Sequence, residues 1–273
     1  MKNSLCIFFG LLLFTQCQDP IEVEVFDSQK RLVVEAQINW IKETQQTEQE
    51  VFLSLSSSYF SDTYLPASGA IVSISDSNQQ QYTFYEEINN PGRYIPLDTV
   101  PYTLNQKLQL KISYNGQEYI GSETFMPVTK IDSISQNIIN FFGEETISID
   151  AFCMDPKNEK NYAFFEFTGD HIDITEFNVY RDDFNDGFIY NGFLFGSDFE
   201  VDDKIRIRQY GLSKKGFNYW NLLINQNTQQ GGSSFQTTPS NLTGNITNLT
   251  KPNNYPLGYF RASEVSEVIF AIK

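Results

Sequence analysis

The sequence predicts an all-β protein made of two β-sandwich domains, the second of which carries one α-helix at about residues 216–229. Apolar and polar residues alternate along many short segments, a pattern typical of strands with one buried face. Gly and Pro separate these segments at short intervals, as they do in sandwiches. Residues 216–229 instead show the three- and four-residue apolar period of a helix.

Residues 1–16 are predicted to be an export signal, because Lys2 precedes a nearly unbroken apolar run over 5–14. That run is too short to span a bilayer, which takes about 20 apolar residues. Cys17 follows the signal, where bacterial lipoproteins are acylated and cleaved. We therefore expect Cys17 to carry a lipid anchor, although Gln16 stands where a small residue is usual. The alternative is an ordinary signal peptide cleaved elsewhere.

An acidic tether is predicted over 17–30, followed by a first sandwich over 31–127. In 31–38 every second residue is apolar, which indicates a half-buried strand. Asn115 and Gly116 predict a tight hairpin, because the favoured two-residue turns need positive φ. The same alternation predicts further strands at 50–56, 70–75, 81–85, 107–114 and 117–124.

A second domain is predicted over 128–273, because Pro127 cannot donate to a central ladder and the alternation restarts after it. Its helix is predicted because large apolar residues recur at three- and four-residue steps from Phe217 to Ile224, with a Gly-Gly pair at 231–232 as a typical end. Its strands are predicted at 145–154, 161–168, 175–181, 204–209 and 266–272.

The charge of the chain limits its partners. With 34 acidic against 19 basic side chains, the formal net charge is −15. Binding to nucleic acid or to anionic lipid head groups depends on Lys and Arg neutralising phosphates. We therefore expect no nucleic-acid partner, and membrane contact through the Cys17 anchor alone.

The residues that could carry catalysis are few. Cys6 leaves with the signal and Cys17 is acylated, so Cys153 stays unpaired, and its apolar surroundings at 147–154 predict a buried structural thiol. His171 is the single histidine, so a zinc site with two histidine ligands is excluded. The sequence also has no Gly-x-Ser-x-Gly motif, which would supply a serine nucleophile for His171 to activate. We interpret His171 as a turn residue and predict no catalytic residue, no cofactor and no enzyme activity.

Two acidic segments contain carboxylates that could serve as calcium ligands. Residues 198–202 place three carboxylates on one face of a possible strand, and 181–187 gathers three more near a turn. The second segment misses the register of an EF-hand loop. We interpret 185–187 as a hairpin turn and 198–202 as a solvated strand face, and predict no metal site. Nothing singles out a carboxylate pair for glycoside hydrolysis.

Two further features, the Asn-x-Thr motifs and a group of aromatic residues, have a structural as well as a functional interpretation. Asn241, Asn245 and Asn248 match the N-glycosylation pattern, but in a bacterial protein they are plain polar loop residues. An exposed aromatic platform in the loop over 57–66 is the alternative to a core role for Trp40, Tyr59, Phe60 and Tyr64. The sequence names no ligand-binding residue.

The chain resembles a known family over essentially its whole mature length. Residues 69–74 and 90–94 with the Tyr119 strand are similar to the immunoglobulin-like regulatory modules of carboxypeptidase-type and transthyretin-like domains. With these, the whole chain resembles the Bacteroidetes lipoproteins catalogued as domain of unknown function 4249. The further segments that carry this resemblance are 31–35, 126–128, 239–248 and 257–262.

The resemblance implies an outer-membrane lipoprotein, often encoded beside a TonB-dependent transporter. The expected function is a non-enzymatic binding or accessory subunit of such a transporter; the alternative is a structural or adhesive surface protein with no transport partner. The acidic segment 18–24 resembles the tags that send such lipoproteins to the cell surface, and its simpler interpretation is a solvated tether.

Overall fold

A computed structural model describes residues 30–57, 65–141, 143–173, 175–183, 186–196, 198–228 and 242–273. The expected signal, Cys17, and all but the last residue of the tether lie outside these ranges. So do Tyr59, Phe60 and Tyr64. Within the described residues, no helix is both long and apolar enough to cross a membrane.

The described residues are mostly strand, which confirms the all-β prediction. One helix, α1, spans Lys214–Thr228. The strands are β1 (Leu32–Ile41), β2 (Gln46–Leu55), β3 (Leu65–Pro66), β4 (Ile71–Ser75), β5 (Gln81–Glu86), β6 (Arg93–Pro96), β7 (Lys107–Tyr114), β8 (Gln117–Thr124), β9 (Ile131–Phe141), β10 (Glu144–Met154), β11 (Tyr162–Gly169), β12 (Glu176–Arg181), β13 (Ile189–Gly196), β14 (Lys204–Gly211), β15 (Ile246–Asn248) and β16 (Leu257–Ala271).

The strands form one large mixed sheet and one small sheet. The small sheet has the order β13-β10-β9, and β3 pairs with β2 beside the main path of the large one. The hairpin between β7 and β8 turns at Asn115 and Gly116, both with positive φ, as the sequence predicts. The main path of the large sheet runs β12-β11-β14-β16-β1-β2-β6-β5-β4-β7-β8-β15.

The large sheet runs across the predicted boundary at Pro127. β16 pairs in parallel with β1, with Val33 opposite Leu257 and Ile41 opposite Val265. β15 pairs with β8 in the antiparallel sense. The end of the chain therefore returns to the first sandwich and completes it. The immunoglobulin-like character of residues 31–127 stays a prediction.

Both faces of β16 are buried, so its residues do not alternate between apolar and polar over its full length. Residues 259–266 are all buried. Phe260 and Ala262 join the core of the first sandwich, whereas Val265, on the opposite face, packs with α1. Alternation marks only strands with one wet face. The strand predicted at 266–272 therefore begins nine residues earlier, at Leu257.

Two further details differ from the sequence-based prediction. The helix begins at Lys214 rather than 216, because Ser213 caps it: Ser213 Oγ accepts a 3.1 Å hydrogen bond from the Gly216 N–H. Residues 198–202 form no strand; they are an exposed or half-exposed connection between β13 and β14, with Ser197 outside the described residues. The interpretation of 198–202 as a strand face is wrong, although its carboxylates do face solvent.

Candidate functional site

A cleft of about 650 Å³ lies between α1 and the large sheet. Volumes of this size are typical of small-molecule sites. Its wall is largely apolar with a few charged groups. The lining residues are Val33, Glu35, Ala36, Gln37, Glu50, Phe52, Tyr219, Trp220, Leu223, Leu242, Leu257, Gly258, Tyr259 and Arg261.

Strand register places the charged groups of this cleft. Across the β1–β16 pair, Glu35 faces Tyr259 and Gln37 faces Arg261. Residues directly opposite each other share a face of the sheet. Val34 and Ala36, which alternate with Glu35 and Gln37 on β1, belong to the core of the first sandwich. The polar residues of β1 and β16 therefore gather on the face that α1 covers.

Arg261 is the central charged residue of the cleft, and only 8% of its surface is exposed. Its guanidinium carbon lies 3.9 Å from the ring centre of Tyr210, and Nη2 donates a 3.0 Å hydrogen bond to Gln37 Oε1. Its Nε has no hydrogen-bond partner within the described part of the chain. Burial lowers the pKa of Arg261, but an arginine keeps its charge inside a protein. The cleft therefore contains a buried cation.

No carboxylate of the described residues forms an ion pair with Arg261. Its neighbour on the same sheet face, Arg208, shows the contrast: it donates to both carboxylate oxygens of Glu48, at 2.7 and 2.8 Å, and also to Glu267. An unpaired buried charge costs several kcal/mol. Arg261 is therefore placed to hold an anionic group, whereas Arg208 is already neutralised.

Three other cleft residues have polar groups to offer. Trp220 on α1 is half-buried, and its Nε1–H meets no hydrogen-bond acceptor in the described ranges. Glu35 is exposed to the cleft, where desolvation and then the charge of Glu50 raise its pKa. Burial and then Glu35 raise the pKa of Tyr219 to about 12, so its hydroxyl stays protonated at neutral pH. The cleft thus offers a cation, two donors and a carboxyl group on an apolar wall.

The structure puts Cys153 and His171 outside this cleft. Cys153 is buried as predicted; its thiol donates a 3.1 Å hydrogen bond to Gln209 Oε1, and burial raises its pKa to about 12. His171 lies in a turn as predicted, with φ at 55°. Its Nδ1 is 2.7 Å from Asp203 Oδ2, and this hydrogen bond raises the pKa of His171. Neither residue is placed as a nucleophile or base of the cleft.

The asparagines of the glycosylation pattern are structural. Asn248 is fully buried in β15 and its Oδ1 accepts from the N–H groups of Thr250 and Lys251. Asn245 binds both backbone polar groups of Phe260, at 2.7 and 2.9 Å. Asn248 therefore lies in a strand rather than a loop, whereas Asn245 lies in the bend before β15, and both side chains tie residues 245–248 into the sheets. Asn241 lies outside the described residues.

Trp40 belongs to the sandwich rather than to an open platform. Its ring stacks on Tyr102 with the ring centres 4.3 Å apart, and it packs against the core of the first sandwich. The other three aromatic residues of that prediction fall outside the described ranges.

Sequence reasoning missed Arg261. Arg261 lies within residues 257–262, and in the sequence this segment contributes only to the family resemblance. The sequence did contain a signal for Arg261. The apolar residues around it are typical of a buried segment, where a charged residue is unusual. Recognising it required knowing that the segment is a strand covered on both faces.

The comparisons with known proteins identify one family. The family model described as Domain of unknown function (DUF4249) matches residues 18–269, which is most of the chain. None of the curated proteins matches it.

Proposed function

The chain belongs to the family described as Domain of unknown function (DUF4249), and on that premise we propose that it is a non-enzymatic lipoprotein of the outer membrane. It is anchored through Cys17, holds a small ligand in the cleft under α1, and acts as an accessory subunit of a TonB-dependent transporter. The ligand carries an anionic group, such as a carboxylate or phosphate, on an apolar body.

The observation that carries the binding function is the state of Arg261. A buried guanidinium with an unpartnered Nε and no ionic partner among the described residues borders a cleft of about 650 Å³. Guanidinium groups recognise carboxylates and phosphates by paired hydrogen bonds. The free energy lost by burying Arg261 alone is recovered when an anion binds.

The wall of the cleft defines the rest of the ligand. Phe52, Leu223 and Leu257 provide apolar contact, and the unpartnered Trp220 Nε1–H is a donor for a second acceptor atom. Glu35 lies on the neighbouring strand, diagonal to Arg261, and is suited to a hydroxyl or an amine. This combination favours a small amphipathic molecule over a polymer.

The anchor and the partner rest on other observations. The family match begins at residue 18, directly after Cys17, and Cys17 follows an apolar run of signal length. The resemblance to Bacteroidetes lipoproteins supports the outer membrane and the transporter, and the acidic segment 18–24 supports the outer face. With the Cys153 thiol buried and His171 in an exposed turn, a binding role fits better than catalysis.

Native mass spectrometry of the full chain, extracted from membranes in mild detergent, tests the cleft. We expect a small molecule bound to the wild-type protein and lost from Arg261→Met. The matched control is Arg206→Met, which removes the same charge from an exposed position on β14. An equal loss in both variants, or a ligand retained by Arg261→Met, contradicts the proposal.

The anchor and the partner are tested in the same strain. Cys17→Ala should move the protein from the membrane to the soluble fraction, while Cys153→Ala should stay in the membrane. A C-terminal tag should recover a TonB-dependent transporter at stoichiometric yield. Recovery of the bait as a lone monomer would instead support a structural or adhesive surface protein.

A further inference from the structure

Three aspartates meet where strands of both sheets end. Asp155 directly follows β10, Asp182 directly follows β12, and Asp186 precedes β13. One carboxylate oxygen from each lies within 4.8 Å of the other two. Asp155 and Asp182 are each only 2% exposed, whereas Asp186 is open to solvent.

Two of the three carboxylates are held in position by neutral donors. Asp155 Oδ1 accepts from Asn161 Nδ2 at 2.7 Å and its Oδ2 from the Gly187 N–H at 2.9 Å. Asp186 Oδ1 accepts from the Asn158 N–H at 2.5 Å. These contacts fix the oxygens and leave the negative charge without a counter-charge.

Asp182 is the exception, because its buried Oδ1 has no hydrogen-bond partner among the residues that the structure describes. Burying an unpaired polar group is costly, and burying an unpaired charge costs more. No ion pair among the described residues involves Asp155, Asp182 or Asp186; the nearby Lys160 ammonium donates to the Asp182 carbonyl oxygen instead. Asp183, the next residue, is exposed and paired with Arg181.

We propose that Asp155, Asp182 and Asp186 form a Ca²⁺ site that ties the turn at Asp186 and Gly187 to the ends of β10 and β12. Ca²⁺ takes oxygen ligands at about 2.3–2.6 Å, so two oxygens on the same ion lie up to about 5 Å apart. The three carboxylate oxygens lie within 4.8 Å of one another, which agrees with this geometry. Asp186 provides the open side through which the ion and its waters enter.

The three aspartates lie outside the ligand cleft, and a Ca²⁺ site formed by them differs from the sequence-based prediction of no metal site. The sequence showed carboxylates in 181–187 but not Asp155, which comes from a different strand. Sites on extracellular modules bind Ca²⁺ with dissociation constants of about 10⁻⁴–10⁻³ M. With three protein carboxylates and one open side, we expect an affinity in that range.

Terbium luminescence tests the site in the full chain. Tb³⁺ replaces Ca²⁺ at oxygen sites, and the Tyr180 hydroxyl lies 3.3 Å from Asp155 Oδ1, so excitation of tyrosine should sensitise its emission. We expect emission that Ca²⁺ displaces and Mg²⁺ does not. Asp186→Asn should weaken binding by about tenfold or more, whereas Asp183→Asn, an adjacent acid outside the cluster, should bind as wild type.

Thermal unfolding gives the second measurement. About 1 mM Ca²⁺ should raise the Tm of the wild type and of Asp183→Asn above their values in chelator, and leave that of Asp186→Asn unchanged. Because Asp186 is exposed, its loss leaves the fold intact, which circular dichroism checks. The proposal is overturned by an absent Ca²⁺ response, by an equal response to Mg²⁺, or by equal effects of the two substitutions.

Discussion

The guanidinium carbon of Arg261 lies 3.9 Å from the centre of the Tyr210 ring, and the Tyr210 hydroxyl donates a hydrogen bond to Glu166. Glu166 makes no ion pair with Arg261; its carboxylate instead accepts from the hydroxyl of the ring that Arg261 contacts. A ring face attracts a cation but does not neutralise it. Arg261 therefore keeps its positive charge at the wall of the cleft.

Replacing Arg261 by Met should increase stability while it abolishes ligand binding. The substitution removes a buried charge that has no ionic partner, and apolar replacements of buried charges are often stabilising by about 1–4 kcal/mol. Urea unfolding of ligand-free protein measures the change. Arg208→Met is the control and should lower the free energy of unfolding by about 2 kcal/mol, because Glu48 and Glu267 lose their partner. Destabilisation by both substitutions would contradict the unpaired state of Arg261.

Gly258 should tolerate no side chain. Its φ is +93°, and a Cβ there would stand 2.0 Å from the Val34 carbonyl oxygen. Neither backbone can move without separating β16 from β1. Gly258→Ala should therefore cost more than the roughly 1–2 kcal/mol of a left-handed residue alone. Gly116→Ala shares the positive φ but has open space around its Cβ, so it should cost only that amount in the same unfolding measurement.

His171 should make stability depend on pH near neutrality. The Asp203 hydrogen bond raises the pKa of His171 above its ordinary 6.5 in the folded protein. The stabilisation is therefore complete below pH 6.5 and is lost as the pH rises through the raised pKa. His171→Asn, which tolerates the positive φ, should flatten the Tm between pH 6 and 8. An unchanged pH profile in this variant would mean that the pair contributes nothing.

The Cys153 thiol should resist alkylation in the folded protein. It is buried, and burial raises its pKa to about 12, so the thiolate that reacts is scarce at neutral pH. Mass spectrometry of the peptide containing Cys153 should show maleimide labelling only after denaturant is added. Labelling of the native protein at the rate of a free thiol would show that the β10 region opens.

Much of the fold could be predicted from alternation, and its limits have a physical cause. β7 and β8 each have one buried face, as does β1 over residues 32–38, and the sequence pattern locates these strands. Alternation says nothing about partners, so the parallel pairing of β16 with β1 was out of reach. Gln37 and Arg261 meet across that pair although 224 residues separate them.

The candidate sites were missed for the same reason. The cleft forms on the face of β1 and β16 that α1 covers, which the sequence does not show. The aspartate cluster joins Asp155 to two residues from the connection between β12 and β13. Local sequence shows the carboxylates and the arginine but not their neighbours. Cys153 and His171 were correctly placed because burial in an apolar strand and a position in a turn are local properties.

The position of β16 in the middle of the sheet determines when β1 can complete its strand pairing during folding. β1 is made early, and its second hydrogen-bonding edge stays open until residues 257–271 have been synthesised. An open strand edge is a template for wrong pairing with other chains, and contacts this distant in sequence form slowly. The nascent chain therefore depends on protection of β1 throughout synthesis, and a truncation before residue 257 should yield aggregates rather than a smaller functional protein.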